Sequence, residues 1–221
     1  MNRHPTRRSL ASRPALAIVV VIALSVAGCL PSYKYEELDE GTDSRLGPTT
    51  FYEDGRVAFI AVDSNAMSRT RPGELVPLAL ALANKSGRTV RLDSEGFTLR
   101  DSTGDTYPLA DYREFRERGV ARLRADRRVS DSFFELTGHY LNLDGSGLAP
   151  YTYEPLPFYG VEGPQSSTLE LGVNRYTRGF LYFPYPEAGL QGVLELHVRS
   201  VDVPDGLFVR FRVRGTPGQR Q

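Results

Sequence analysis

The 221-residue chain has a single cysteine, no tryptophan and three histidines. One cysteine cannot close an intramolecular disulfide, so packing alone has to hold the fold. A zinc site needs three or four ligands with His or Cys prominent, and beyond the N-terminal region only the isolated His139 and His197 are available. No Gly-x-Ser-x-Gly elbow is present, and no Cys–His pair that would activate a nucleophile. Asn142-Leu143-Asp144-Gly145-Ser146-Gly147 has the oxygen spacing of a calcium-loop start, but Tyr153 occupies the place of the closing glutamate and Glu154 comes one residue late. A glycine-rich turn is expected there instead. These absences predict a protein that is not an enzyme and holds no cofactor. Charge of one sign is missing too, with 27 Lys plus Arg against 27 Asp plus Glu. Long apolar runs are limited to Ala15–Ala27, whose 13 residues fall short of the roughly 20 a membrane-spanning helix needs.

What is present begins with that short run. Arg3, Arg7, Arg8 and Arg13 precede it with no acidic residue among them, and Val26-Ala27-Gly28-Cys29 closes it. A basic start, an apolar centre and a small-residue end make the layout of a secretory signal. The last four residues resemble the lipobox of bacterial lipoprotein precursors: one aliphatic residue, two small ones, then cysteine. In that family the thiol takes a diacylglyceryl group, the signal is cut before the cysteine, and the new amino terminus is acylated. The resemblance implies a signal peptide over 1–28 and lipidation at Cys29, and thereby a membrane contact made through acyl chains. Leu30, not an aspartate, follows the cysteine, which in such proteins implies the outer membrane, facing the periplasm, where the host has two membranes.

Loss of residues 1–28 removes four arginines and leaves 23 basic against 27 acidic residues, a net charge near −4. That balance argues against a nucleic-acid partner, since tracking a phosphate backbone needs a concentrated basic surface. Residues 29–50 read as a flexible acidic tether: Glu36, Glu37, Asp39, Glu40 and Asp43 stand among Pro31, Gly41, Gly47 and Pro48 with almost no apolar periodicity. A coil of the 21 residues from Leu30 to Thr50 has an end-to-end distance of roughly 25 Å.

Residues 51–214 carry short apolar alternations separated by turn residues, with a disordered tail expected over 215–221. Strands are predicted at Val57–Asp63, Leu75–Ala83, Thr89–Leu92, Phe97–Arg100, Thr106–Leu109, Val193–Val201 and Leu207–Arg214. In the second of these, Leu78, Leu80 and Leu82 take one face and Ala79, Ala81 and Ala83 the other. Asn84-Lys85-Ser86-Gly87 makes the turn that follows. Seven or eight such strands at hairpin spacing predict an all-β fold, two antiparallel sheets packed face to face. The run from Leu75 through Asn84, Phe97-Thr98-Leu99, Asp101, Gly104 and Tyr107, with the later Gly179-Phe180-Leu181-Tyr182-Phe183-Pro184, resembles the telokin-like domains of unknown function found in bacterial lipoproteins. The resemblance covers roughly residues 57–109 and 168–213 and implies an immunoglobulin-like β-sandwich. It implies no activity.

Residues 110–167 depart from that pattern as a helix- and loop-containing insertion. Asp111-Tyr112-Arg113-Glu114 has capping-box spacing, and Arg113–Glu117 and Glu114–Arg118 lie at supportive i,i+4 separations. Tyr112, Phe115 and Leu123 are expected to share a face with Gly119. The seven arginines and four acids of 111–128 suit either a solvated helix on the sandwich edge or a contact with lipid headgroups or an acidic partner. Beyond it, Phe133, Phe134, Tyr140, Tyr151, Tyr153, Phe158 and Tyr159 sit among Pro150, Pro155 and Pro157. Phe133 and Phe134 are expected to cap the core. Tyr151, Tyr153, Phe158 and Tyr159 either join that cap or form a partner-binding platform of flat, low-entropy contact area.

Two functions from different classes follow. One is a membrane-tethered, non-catalytic interaction or structural module with an envelope protein partner. The other is a periplasmic ligand-binding or hydrolytic protein with a pocket beneath the tyrosine-rich loop.

Overall fold

The most apolar strand of the chain is also its most enclosed. In the computed structural model, which describes residues 44–143, 151–190 and 192–213, β3 (Val76–Asn84) is buried at all nine positions. Before it come β1 (Thr50–Asp54) and β2 (Ala58–Asp63); after it come β4 (Val90–Asp93), β5 (Phe97–Arg100) and β6 (Thr106–Pro108). The insertion contributes α1 (Tyr112–Glu114), a π-helical turn over Phe115–Gly119, α2 (Leu123–Leu143) and β7 (Thr152–Pro155). The chain then forms β8 (Thr168–Leu171), β9 (Arg175–Phe183), β10 (Val193–Ser200) and β11 (Val203–Arg212).

The strands form an all-β sandwich with a helical insertion. One sheet runs β1-β2-β3-β9-β7, the other β11-β10-β5-β6, and β4 pairs with β8. The β2-β3-β9 and β11-β10-β5-β6 orders correspond to A-B-E and G-F-C-C′ of an immunoglobulin-like sandwich. Leu78, Leu80 and Leu82 face inward in register with Leu181, Val62 and Ile60. Opposite them stand the buried rows Leu99–Leu196–Val209 and Phe97–Val198–Leu207. The Phe51 and Phe211 rings, 6.2 Å apart, join the two sheets. Asn84 ends β3 as a hub: its Nδ2 donates to the carbonyls of Leu171 and Arg88, both at 2.8 Å, and its Oδ1 accepts from Ser86 N at 2.8 Å. The expected asparagine turn therefore also pins the β4–β8 pair.

The other face of β3 explains the largest departure from expectation. Ala79, Ala81 and Ala83 leave a shallow bed beside Phe59 and Ala61, and α2 lies in it across β2 and β3. The sequence placed a helix over 111–128 on the sandwich edge and a loop after it. The 21-residue helix instead covers a sheet face and carries Phe133, Phe134 and Tyr140. Its buried stripe is Asp126, Ser130, Phe133, Thr137 and Leu141, at helical spacing but three-fifths polar. Each polar member has a partner. Asp126 accepts from Arg122 Nε at 3.1 Å and the Tyr182 hydroxyl at 3.2 Å, Ser130 donates to Asp63 at 3.2 Å, and Thr137 donates to its own helix at Phe133 O. Burial pushes the carboxyls of Asp63 and Asp126 above the usual aspartate range, offset in part by these hydrogen bonds.

Asp111 caps α1 as its spacing predicts, accepting from Glu114 N at 2.7 Å. The α-helical turn passes directly into the π-turn over Phe115–Gly119, and Tyr112 does not share the buried face with Phe115; it is exposed. A Cβ on Gly119 would come within 2.4 Å of the Phe115 ring, so the glycine lets that ring enter the core through a π-turn. Four strands lie outside the predicted ranges, β1, β7, β8 and β9, and of these only β9 carries a motif of the resemblance, at 179–183. β7 pairs with β9 in parallel, an exception to the expected antiparallel sheets, and Pro155 is tolerated because β7 is an edge.

Candidate functional site

The four aromatics singled out in the sequence part company in the structure. Phe158 and Tyr159 are 3% and 6% exposed and belong to the core. Phe158 meets Phe97 edge-on at 5.2 Å, and Tyr159 lies 4.3 Å from Phe115, its hydroxyl donating to Ala110 O at 3.1 Å and accepting from Tyr182 N. Tyr151 and Tyr153 remain partly exposed. The Tyr153 hydroxyl donates to Glu162, its ring lies 5.4 Å from the Arg178 guanidinium, and burial together with Glu162 pushes its pKa up. Beside it runs a groove of about 340 Å³ lined by Arg127, Asp131, Phe134, Glu162, Arg178 and Phe180.

The space beneath the loop is filled. Between Leu123, Leu156, Tyr159 and Tyr182 the open volume is only about 30 Å³. His139 is exposed on α2, and among the described residues it belongs to no cluster of three or more His, Cys, Asp or Glu. Cys29 and most of Asn142–Gly147 lie outside the described residues, and so does the tail.

A larger open volume than either of these lies elsewhere, on the sheet face that α2 does not cover. Register places Thr106, Arg100, Glu195 and Arg210 in one outward row of the four-stranded sheet, and Pro108, Thr98, His197 and Phe208 in the next. Glu195 is the hub. It lies 2.9 Å from His197 Nε2, 2.9 Å from Arg210 Nη2 and 3.9 Å from Arg100 Nη1. The His197 and Arg210 hydrogen bonds hold its carboxyl below the usual range. Phe208, half exposed, stacks on His197 at 5.9 Å. Beyond this row a cleft of about 580 Å³ opens between Arg45, Arg100, Arg210, Arg212, Glu195 and the β5–β6 hairpin. The alternation of β10 and β11 marked His197, Arg210 and Arg212 as outward in the sequence. Nothing in the sequence signalled that Arg45 and the hairpin would meet them.

Asp101 shapes the hairpin wall. One of its oxygens accepts from Thr103 Oγ1 at 2.6 Å, Thr103 N at 2.9 Å and Asp105 N at 3.1 Å, and the other from the Tyr107 hydroxyl at 2.9 Å. The Thr103 hydroxyl, then Tyr107 and the backbone donors, lower its pKa against the opposing effect of burial. A depressed folded-state pKa contributes stability that is present above the unfolded value of about 3.9 and lost as pH falls through the folded one. Asp101→Asn is therefore expected to lower the melting temperature at pH 7, with the gap to the parent protein closing in acid. A gap independent of pH would show that the charge is not what braces the hairpin.

Among the described residues no group of three or more His, Cys, Asp or Glu is placed to hold a metal ion, and no helix is long and apolar enough to cross a membrane. No family model and no curated protein matches the chain. Among solved structures, a candidate lipoprotein (ycdA) from Bacillus subtilis subsp. subtilis str. 168 is similar over 73% of this chain, at 10% sequence identity and a TM-score of 0.36. The chain spans 38% of that protein's length, and the similarity is too slight to assign fold or function.

Proposed function

We propose that the chain is a lipid-anchored, non-catalytic module of the bacterial cell envelope, attached through Cys29 and acting by contact with an envelope protein. The observation that carries this reading is Val26-Ala27-Gly28-Cys29 at the end of a basic and then apolar N-terminal segment. With Leu30 after the cysteine, the reading extends to the outer membrane, facing the periplasm, in a host with two membranes. Confinement to a membrane surface raises the effective concentration of a tethered domain toward its neighbours, so a modest contact suffices. The groove beside Tyr153 offers such a contact the rings of Phe134 and Phe180, bordered by Arg127 and Arg178 and by the carboxylates of Asp131, Glu135 and Glu162.

Cys29→Ser tests the anchor. The variant is expected to accumulate as an uncleaved precursor without fatty-acid label, and normal acyl labelling of it would sink the assignment. Fractionation of the parent protein with inner-membrane markers would overturn the outer-membrane placement alone. Crosslinking in intact envelopes tests the contact: Tyr153→Ala is expected to lose a partner that the parent captures, and an unchanged crosslinking pattern would remove the groove from consideration.

A further inference from the structure

The arginine cleft of the uncovered sheet points to a second binding site, and we propose that it takes a phosphate-bearing anion, supplied by the headgroups of anionic phospholipid. Its wall carries four arginines against two carboxylates in a chain whose mature net charge is negative. The carboxylates are already engaged. Asp101 is turned into its own hairpin, and Glu195 is shared among Arg210, Arg100 and His197. Arg45 and Arg212 form no ion pair among the described residues. Arg45 rests its guanidinium 4.7 Å from the Phe51 ring centroid, and its buried Nε has no hydrogen-bond partner. A guanidinium fork matches phosphate oxygens two at a time. The cleft volume of about 580 Å³ falls within the range of small-ligand sites.

Place selects the source. Arg45 is a wall of the cleft and stands 16 residues after Cys29 in the sequence. A coil of that length spans about 22 Å. The clause that names the membrane as source rests on lipidation at Cys29; the anion site itself rests on the arginines alone.

The two are separable by experiment. The purified full chain in neutral-detergent micelles is titrated calorimetrically with glycerol phosphate, with inorganic phosphate, and with micelles doped with phosphatidylglycerol or with zwitterionic phosphatidylcholine. Saturable binding of glycerol phosphate and of phosphatidylglycerol is expected, stronger than binding of phosphatidylcholine. Arg45→Gln and Arg212→Gln should each weaken it about tenfold or more, while Arg113→Gln on the exposed α1 leaves it unchanged. Unaltered melting temperatures of the variants establish that the fold survives. Binding of soluble phosphates with no preference for phosphatidylglycerol micelles would overturn the headgroup source, and absence of binding to every probe would overturn the site. Neither result depends on whether Cys29 is acylated, which labelling reads independently.

Discussion

Phe211→Ala is expected to remove about 3–5 kcal/mol of folding stability, the usual cost of emptying a buried phenylalanine site. The side chain is fully enclosed, its strand position pairs with Leu194, and its ring meets Phe51 of the facing sheet. Both sheets line the space the ring would leave, and neither can close it without sliding over the other. Against a domain stability of roughly 5–15 kcal/mol the loss is a large fraction. Tyr153→Ala is the contrast. It removes one hydroxyl contact to Glu162 and a partly exposed ring, for a cost of about 1 kcal/mol. Urea titration of a soluble chain expressed from position 29 onward, with Cys29→Ser, measures both. Equal destabilisation would mean that the tyrosine is a core element and would withdraw it from the proposed contact surface.

The second large effect is expected at Gly96→Ala. The residue closes the single turn of 3-10 helix over Ser94–Gly96 that leads into β5. A Cβ there would stand 2.2 Å from the backbone oxygen of Arg199 on β10, the strand β5 pairs with. Backbone cannot rotate away as a side chain can, so β10 or the turn has to shift and the paired rows with it. Overpacking of this kind costs about 1–3 kcal/mol, and a backbone obstacle puts the expectation at the upper end. Gly87→Ala, in a turn with nothing within 4 Å, is the matched control and should stay within about 0.5 kcal/mol. If the two variants melt together, β10 does not pass Gly96 as closely as described.

Why some elements were legible and others were not comes down to which physical signal each carries. β5 and β10 alternate between a buried and a more exposed face, and β3, buried on both, alternates leucine with alanine, so the pattern reveals them within a residue or so at their ends. The stripe of α2 hides because Asp126, Ser130 and Thr137 are polar residues buried with partners, and a search for apolar periodicity passes over them. β7 hides because its pairing is parallel and long-range, made by residues that read as a proline-stiffened loop. The same limit applies to the aromatics. An irregular segment has no periodicity to say which ring turns inward, so Phe158 and Tyr159 could not be told from Tyr151 and Tyr153. The arginine cleft was half visible: strand alternation marks Arg210 and Arg212 as outward. Their meeting with Arg45, more than 160 residues earlier in the chain, belongs to the topology.

Lipid attachment at Cys29 is most directly tested by intact-mass spectrometry of the protein purified from bacterial membranes. The expected species begins at Cys29 and carries a diacylglyceryl group on the thiol and an acyl chain on the amino terminus. A chain that keeps residues 1–28, or one cut elsewhere with an unmodified Cys29, would contradict it.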